Sequence, residues 1–174
     1  MLRHFNTAGP CNPADHYMVP PESRLPGLRR LIEEKSYFVV HAPRQAGKTT
    51  LFRSLAGDLN REGRFIALIA SCEVAQAAGG DVERGVAAVL EAVRQAALEQ
   101  RLPLRARPPR PDARVPAEVR LQDLLARWAR RCPLPIVLFL DEIDSLLGGV
   151  LISVLRQLRT GYAGRPGSFP WCVA

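Results

Sequence analysis

Apolar residues fall into two patterns along the chain. Four continuous runs, rich in β-branched and aromatic residues, predict buried β-strands at 36–42, 64–71, 134–142 and 168–174. Other apolar residues recur every three or four positions, which predicts amphipathic helices. The apolar faces of these helices contain Leu28, Leu31 and Ile32; Leu51, Phe52, Leu55 and Leu59; Val82, Val86, Val89, Leu90 and Val93; Leu121, Leu124, Leu125 and Trp128; and Leu147, Leu151, Val154, Leu155 and Leu158.

The order of these elements predicts the fold class. One helix precedes four strands, and a helix follows every strand except the last. Continuous apolar strands that alternate with amphipathic helices are typical of a parallel sheet covered by helices on both faces. We therefore expect an α/β protein.

Short polar signals predict where the helices begin and end. Residues 61–63, Arg-Glu-Gly, end the second helix, and Asp81 is a candidate N-cap for the third. Asp144 and Ser145 are expected to cap the last helix, over residues 145–160, which continues despite two glycines.

Two segments lack apolar periodicity. Residues 1–23 are proline-rich and are expected to form an extended lead-in to a single core over residues 24–174. Residues 101–116 contain five prolines and five arginines, which excludes a helix or a central strand. We expect this second segment to be an exposed, extended or disordered insertion.

Composition narrows the class of protein. A chain of 174 residues, 47% of them hydrophobic, has the size of one domain. Its longest aliphatic and aromatic run has five residues, at 136–140, so no membrane span is expected. The first residues lack the apolar core of a secretory signal. Cys11, Cys72, Cys132 and Cys172 are scattered, which suits a reducing cytoplasm.

The net charge is positive and unevenly distributed. The formal charge is +7, and residues 101–131 carry nine arginines against three acidic residues, an excess of six. Such an excess indicates either a nucleic-acid partner or a compositional bias toward arginine, and the sequence leaves both readings open.

The loop after the first predicted strand resembles a phosphate-binding loop. Residues 42–49 read APRQAGKT and fit G-x-x-x-x-G-K-[ST] at every defined position except Ala42. Gly47 would admit the phosphate, Lys48 would reach the β- and γ-oxygens, and the Thr49 hydroxyl would coordinate Mg²⁺. The predicted phosphate-binding residues are Pro43, Arg44, Gln45, Ala46, Gly47, Lys48, Thr49 and Thr50. The alternative is an ordinary turn.

Lysine usage favours the phosphate-binding interpretation. Among 24 basic residues, only Lys35 and Lys48 are lysines. A fork-shaped guanidinium is a poor substitute for a compact ammonium inside a loop of backbone amides. Lys48 is therefore a candidate for both binding and catalysis.

The third predicted strand ends in two acidic residues that could complete such a site. Open parallel sheets place their ligands at the carboxyl ends of the strands. Asp141 is the candidate metal ligand beside Thr49, and Glu142 is the candidate general base that activates water. The alternative is a solvated strand end that begins a turn.

The quoted segments resemble the two nucleotide motifs of AAA+-type ATPases. VVHAPRQAGKTTLFRSLA and IVLFLDEIDSL are similar to the Walker A and Walker B segments of the bacterial AAA-like family and of STAND ATPases. The resemblance implies a P-loop NTPase three-layer sandwich of the additional-strand class, in which the Walker B strand does not neighbour the P-loop strand. It also implies ATP and Mg²⁺ as ligands, with residues 17–22 near the adenine.

The chain also departs from this family. Family members continue past the fourth strand into a polar sensor residue, a fifth strand and a helical lid, so the sequence is expected to be a fragment or a truncated form. An arginine from a neighbouring subunit often completes the site in AAA+ rings. Arg156 and Arg159 are candidates by position, although each is also typical of a helix surface.

Three functions follow from these observations. The first is an ATPase that couples hydrolysis to a conformational change and acts on a protein partner or on itself. The second is a nucleotide-gated binding module that does not hydrolyse ATP. The third is a nucleic-acid-binding ATPase that uses residues 101–116, although the absence of aromatic residues there disfavours a base-stacking surface.

Overall fold

The computed structural model describes residues 4–6, 14–17, 25–43 and 45–174. Its α-helices are α1 (Leu28–Glu33), α2 (Lys48–Glu62), α3 (Val82–Glu99), α4 (Ala117–Arg131) and α5 (Gly149–Gly161). Its strands are β1 (Ile66–Ser71), β2 (Ile136–Asp141) and β3 (Cys172–Val173). Short 3₁₀ turns cover Glu73–Ala78, Leu104–Ala106, Ile143–Ser145 and Tyr162–Gly164.

The three strands form one parallel sheet in the order β1-β2-β3. The register pairs Ile66 with Ile136 and Ser71 with Asp141, so both strands end at the same level. This arrangement confirms the predicted α/β class with a parallel sheet. It also brings the two longer strands' carboxyl ends together at one edge.

Helices cover both faces of the sheet. Leu68 and Leu138 point into a core shared with α3, α4 and α5. Ala67 and Val137, one residue earlier on each strand, point into a second core with α1 and α2. The two-residue alternation of strands produces this division. No helix among the described residues is long and apolar enough to cross a membrane.

The helix α2 and its ends agree with the sequence prediction. All four predicted apolar residues are buried, and Phe52 stacks on Phe139 of β2 with ring centroids 4.8 Å apart. Gly63 ends the helix with φ 69°, a conformation that glycine adopts at little cost. Asp81 caps α3 as predicted, since its carboxylate accepts the Arg84 N–H at 3.1 Å.

The strand predicted at 36–42 is absent, and this prediction was wrong. The segment runs beside β3 with one backbone bond to it, from Phe38 N–H to Val173 O at 3.3 Å. Strand β3 has only two residues and is shorter than the predicted strand 168–174. It therefore provides few backbone groups with which the 36–42 segment could form a β-ladder. The side chain of Val39 is 82% exposed as a result.

The last helix begins later than predicted. Gly148, with φ 50°, precedes α5, whereas Asp144 and Ser145 lie in a separate 3₁₀ turn and do not cap the helix. The predicted face was wrong in part, because Leu147 and Leu155 are about half exposed. The buried face instead contains Val150, Val154, Gln157, Leu158 and Gly161.

The Arg/Pro-rich segment 101–116 has no α-helix or strand, and half of its residues are exposed, in agreement with the expected exposed or extended insertion. It runs antiparallel to α4, whose side chains bind its carbonyl groups. Trp128 Nε1 donates to Ala106 O at 2.8 Å, and Arg120 Nε donates to Val115 O at 2.7 Å. Ala106, which accepts the Trp128 hydrogen bond, is itself buried. Helix side chains satisfy the backbone of a proline-rich segment that cannot form a ladder.

Most of the predicted lead-in, residues 1–23, lies outside the described residues. In the described part, His4 N–H donates to Asp15 O and Tyr17 N–H donates to His4 O, both at 3.0 Å. These bonds form an isolated parallel bridge between His4 and His16.

We predict that Gly161 of α5 cannot carry a side chain. A Cβ there would lie 2.1–2.4 Å from three atoms of the buried Phe169 ring. Because an overpacked core must shift side chains and backbone, Gly161→Ala should lower the free energy of unfolding by about 1–3 kcal/mol. Urea unfolding followed by circular dichroism measures the change.

Gly57→Ala in α2 is the matched control. A Cβ there would meet only the end of the Arg61 side chain, at 3.9 Å. Relief of glycine's entropy cost should raise the free energy of unfolding by about 0.5–1 kcal/mol. A Gly161→Ala protein as stable as the Gly57→Ala protein would contradict the packing described for α5.

Candidate functional site

A short loop joins the 36–42 segment to α2, and its backbone turns through two left-handed residues. Gln45 has φ 61° and Gly47 has φ 85°. Ala46 N–H donates to Pro43 O at 3.3 Å, which closes the turn. The missing Cβ of Gly47 lets the chain enter the helix in this conformation at little cost.

The loop leads directly into the N-terminus of α2. Gly47 is the N-cap residue, and no acidic side chain lies in the first turn, which contains Lys48, Thr49 and Thr50. First-turn amides have no partner within a helix, and the helix dipole is positive there. These residues therefore form a surface suited to an anion. Arg44, predicted to contribute to it, lies outside the described residues.

The Lys48 ammonium bends back to the start of the loop. Its Nζ donates to Ala42 O at 2.5 Å and to Pro43 O at 3.1 Å. The positive charge is therefore held inside the loop, next to the helix N-terminus. The Ala42 methyl that departs from the motif does not prevent this contact, because the lysine uses the backbone carbonyl.

Thr49 and Asp141 meet although 92 residues separate them along the chain. Thr49 Oγ1 donates to Asp141 Oδ2 at 2.6 Å, from the first turn of α2 to the carboxyl end of β2. Asp141 is 5% exposed, and its other oxygen accepts the Glu142 N–H at 3.2 Å. The structure thus brings together the two residues predicted to hold a metal ion.

Glu142 directs its carboxylate toward the neighbouring strand. The residue is exposed, has φ 55°, and accepts a hydrogen bond from Ser71 Oγ at 3.0 Å. Ser71 was not among the site residues predicted from the sequence. It could have been predicted, because it ends the predicted strand 64–71 and would lie level with Asp141 in a parallel sheet.

A cavity of about 510 Å³ lies next to these residues. Lys48, Asp141, Glu142 and Asp144 contribute charged groups, and most of the remaining lining is apolar and comes from the 36–42 segment, β3 and α5. Arg159 of α5 also lines the cavity, whereas Arg156 does not. Of the two arginines considered from sequence, only Arg159 lies beside the site within one chain.

The oxygen atoms of Thr49 and Asp141 suit a magnesium ion. Mg²⁺ prefers hard oxygen ligands and is commonly held by one or two protein groups together with phosphates and water. No group of three or more His, Cys, Asp or Glu side chains in the described part of the chain could hold a metal by itself.

The arginine excess of residues 101–131 is partly paired within the fold. Arg120 forms a salt bridge to Glu83 at 2.6 Å, Arg127 pairs with Asp123 at 2.7 Å, and Arg114 pairs with Asp112 at 2.8 Å. The Arg120 side chain is buried, so its role is structural. Three of the nine arginines are therefore paired with acidic residues, and the exposed Arg114–Asp112 pair is of the kind that contributes little to stability.

Comparison with protein-family models, with curated proteins and with solved structures gives no match to this chain. Functional inference therefore depends on the geometry of the site. Of the residues proposed to lie near an adenine, Tyr17 is half exposed and packs against Phe5, while 18–22 lie outside the described residues.

Cys72 provides a test of how closed this end of the sheet is. Burial, reinforced by the negative charges of Asp141 and Glu142, raises the pKa of the Cys72 thiol to about 12. A raised pKa keeps the thiol protonated at pH 8, and the thiolate is the reactive form. We expect native Cys72 to resist iodoacetamide at pH 8, measured by mass spectrometry in a Cys11→Ser background.

Cys132 is the internal comparison, since it is half-buried and should react first. In urea, both thiols should react at similar rates. Native labelling of Cys72 as fast as in urea would show that the site is more open than described.

Proposed function

We propose that this chain is the core of a P-loop NTPase of the additional-strand class that binds ATP with Mg²⁺ and hydrolyses it. The observation that carries the proposal is the 2.6 Å hydrogen bond between Thr49 and Asp141. Two motifs that were recognised separately in the sequence supply its two partners. If residues 42–49 were an ordinary turn and Asp141 an unrelated strand end, the sequence motifs would not predict this contact.

Phosphate binding is assigned to the loop and the start of α2. The amides around Gly47 and the positive end of the helix dipole attract the phosphate oxygens. The Lys48 ammonium, now bound to Ala42 O and Pro43 O, lies within reach of the same place and would exchange these carbonyls for phosphate oxygens. Lys48 then also stabilises the charge that develops during transfer.

Strand order supports the additional-strand class. The 36–42 segment lies beside β3, and β3 lies between it and β2. The element that precedes the loop is thus separated from the strand that carries Asp141 by one strand. This is the order that the resemblance to AAA+-type ATPases implies.

Thr49 and Asp141 would hold the magnesium ion. The ion, when bound, would neutralise the negative charge of the phosphate oxygens. The buried Asp141 carboxylate keeps the Thr49 side chain oriented toward that position.

Glu142 is the proposed general base. Its carboxylate would accept a proton from the water that attacks the γ-phosphorus, and the products are ADP and phosphate. The Ser71 hydroxyl orients the carboxylate from the end of β1. A change in nucleotide state at this point can reach β1 through Ser71 and α5 through the shared cavity, which offers a route to a protein partner.

We predict that Lys48→Ala abolishes Mg-ATP binding. The substitution removes the only charged side chain that the described part of the loop contributes. The affinity for Mg-ATP should fall at least about a hundredfold, which corresponds to the loss of two charge-assisted hydrogen bonds. Isothermal titration calorimetry with and without Mg²⁺ measures it. Lys48→Arg should also bind poorly, since a guanidinium is too large for the loop.

Arg130→Ala is the charge-matched control, because Arg130 is exposed on α4 and far along the sequence from the loop. It should bind as the parent does, and both variants should keep the parent's far-ultraviolet spectrum. If the Lys48→Ala protein bound ATP with unchanged affinity, the loop would be an ordinary turn and the proposed phosphate site would be wrong.

We predict that Glu142→Gln retains ATP binding but loses hydrolysis. The amide keeps the size of the side chain yet cannot accept the proton, and general-base catalysis contributes about 10²–10⁴-fold. Single-turnover release of phosphate from radiolabelled ATP measures the effect.

Glu118→Gln is the matched control, because Glu118 is exposed in the first turn of α4 and does not line the cavity. This variant should hydrolyse ATP at the parent rate. Equal phosphate release from the parent and Glu142→Gln proteins would instead favour the nucleotide-gated module that binds without turnover.

A further inference from the structure

Strand β1 is an edge of the sheet, and half of its backbone groups face away from β2. Ile66 N–H donates to Pro135 O at 2.9 Å, and Cys72 N–H donates to Asp141 O at 2.8 Å. In a parallel ladder, alternate residues bond the same neighbour. Residues 67, 69 and 71 therefore direct their N–H and C=O groups to the free edge.

Asn60, in the last turn of α2, occupies the first of these positions. Its Nδ2 donates to Ala67 O at 2.8 Å, and its Oδ1 accepts the Ala67 N–H at 2.9 Å. A side-chain carboxamide carries the same donor and acceptor as a peptide group. Asn60 thus pairs with Ala67 as one residue of an additional strand would.

Gln100, at the C-terminus of α3, occupies the second position in the same way. Its Nε2 donates to Ile69 O at 2.6 Å, and its Oε1 accepts the Ile69 N–H at 3.2 Å. The two carboxamides come from helices on opposite faces of the sheet and converge on alternate residues of one strand. Ser71, the third position, lies at the candidate site and uses its hydroxyl there.

Ile69 and Ser71 of the free edge line a groove, whereas Ala67 is fully buried beside Asn60. The groove, of about 1,030 Å³, runs along the edge between α2 and α3, from Thr49 at one end to Gln100 at the other. Small residues such as Gly57, Ala88 and Ala92 line its walls together with long polar side chains, among them Arg53, Arg61 and Glu99. An edge strand with unpaired N–H and C=O groups is a template for pairing with another chain.

We propose that Asn60 and Gln100 close the β1 edge against strand addition by a second copy of this chain. Each carboxamide satisfies the donor and the acceptor that an incoming strand would need. The incoming strand would have to break four hydrogen bonds before it could form its own. This inference does not rest on the proposed function, and its test measures self-association without nucleotide.

The test compares the parent chain with the double variant Asn60→Ala/Gln100→Ala. The variant should self-associate with an association constant about tenfold or more above that of the parent, because two residues of the edge become free to pair. Sedimentation velocity over a wide concentration range measures association. Hydrogen exchange at Ala67 and Ile69 should accelerate about tenfold or more in dilute variant, where no partner strand is present.

Gln95→Ala/Glu99→Ala is the control. Both residues line the groove from α3, and neither bonds to β1. This control should sediment as the parent does. If the control associates as strongly as the edge variant, or if a folded edge variant sediments as the parent does, the proposal is overturned.

A third variant separates edge pairing from partial unfolding. Ala92→Lys, added to the double variant, places a charge in the groove, and lysine at an edge opposes strand pairing. It should restore the parent's sedimentation. Association that persists in the triple variant arises from unfolding and refutes edge pairing. Should the double variant fail to fold, Gln100→Ala alone, which keeps the Asn60 bonds, gives the same comparison.

Discussion

The hydrogen bond from Thr49 to Asp141 is the contact on which the candidate site depends. It joins the first turn of α2 to the last residue of β2 at 2.6 Å, and the carboxylate is buried. The contact exists because the β1–β2 register ends both strands at one level and α2 packs its apolar face across them. Register and helix packing therefore fix the site's geometry, and the loop sequence only supplies the chemistry. A slip of one residue in β2 would turn Asp141 to the other face of the sheet.

Helix α2 is attached to the sheet at both ends by polar contacts that apolar packing alone would not provide. Thr49 binds Asp141 at the N-terminus, and Asn60 binds the β1 backbone three turns later. Packing resists separation of the helix from the sheet, while directional bonds resist its rotation and sliding. The loop before α2 therefore has a fixed anchor on its helical side. Preorganised amides stabilise charge better than amides that must reorient.

The sequence predicted the parts of this fold that local periodicity specifies. Helix α2, strands β1 and β2, and the Thr49 and Asp141 pair follow from apolar spacing and from the rule that parallel strands present ligands at their carboxyl ends. It failed where a partner decides the outcome. The 36–42 segment has strand-forming residues but a neighbouring strand of only two residues. Segment 101–116 is extended as expected, but its hydrogen bonds to α4 side chains could not be predicted from composition. Asn60 and Gln100 were missed because a carboxamide that pairs with a strand has no local signature.

Backbone strain adds an independent argument about Glu142. A non-glycine residue in the left-handed region costs about 1–3 kcal/mol and persists only where its surroundings hold it. Glu142, at φ 55°, is held by its N–H to Asp141 Oδ1, by Ser145 N–H to its carbonyl, and by Ser71 Oγ to its carboxylate. Had the chain relaxed to an extended conformation, the side chain would continue the alternation of β2 and leave Ser71. The left-handed conformation thus lets Glu142 contact Ser71 and line the cavity that Lys48 also lines, a position that suits its proposed role as a general base.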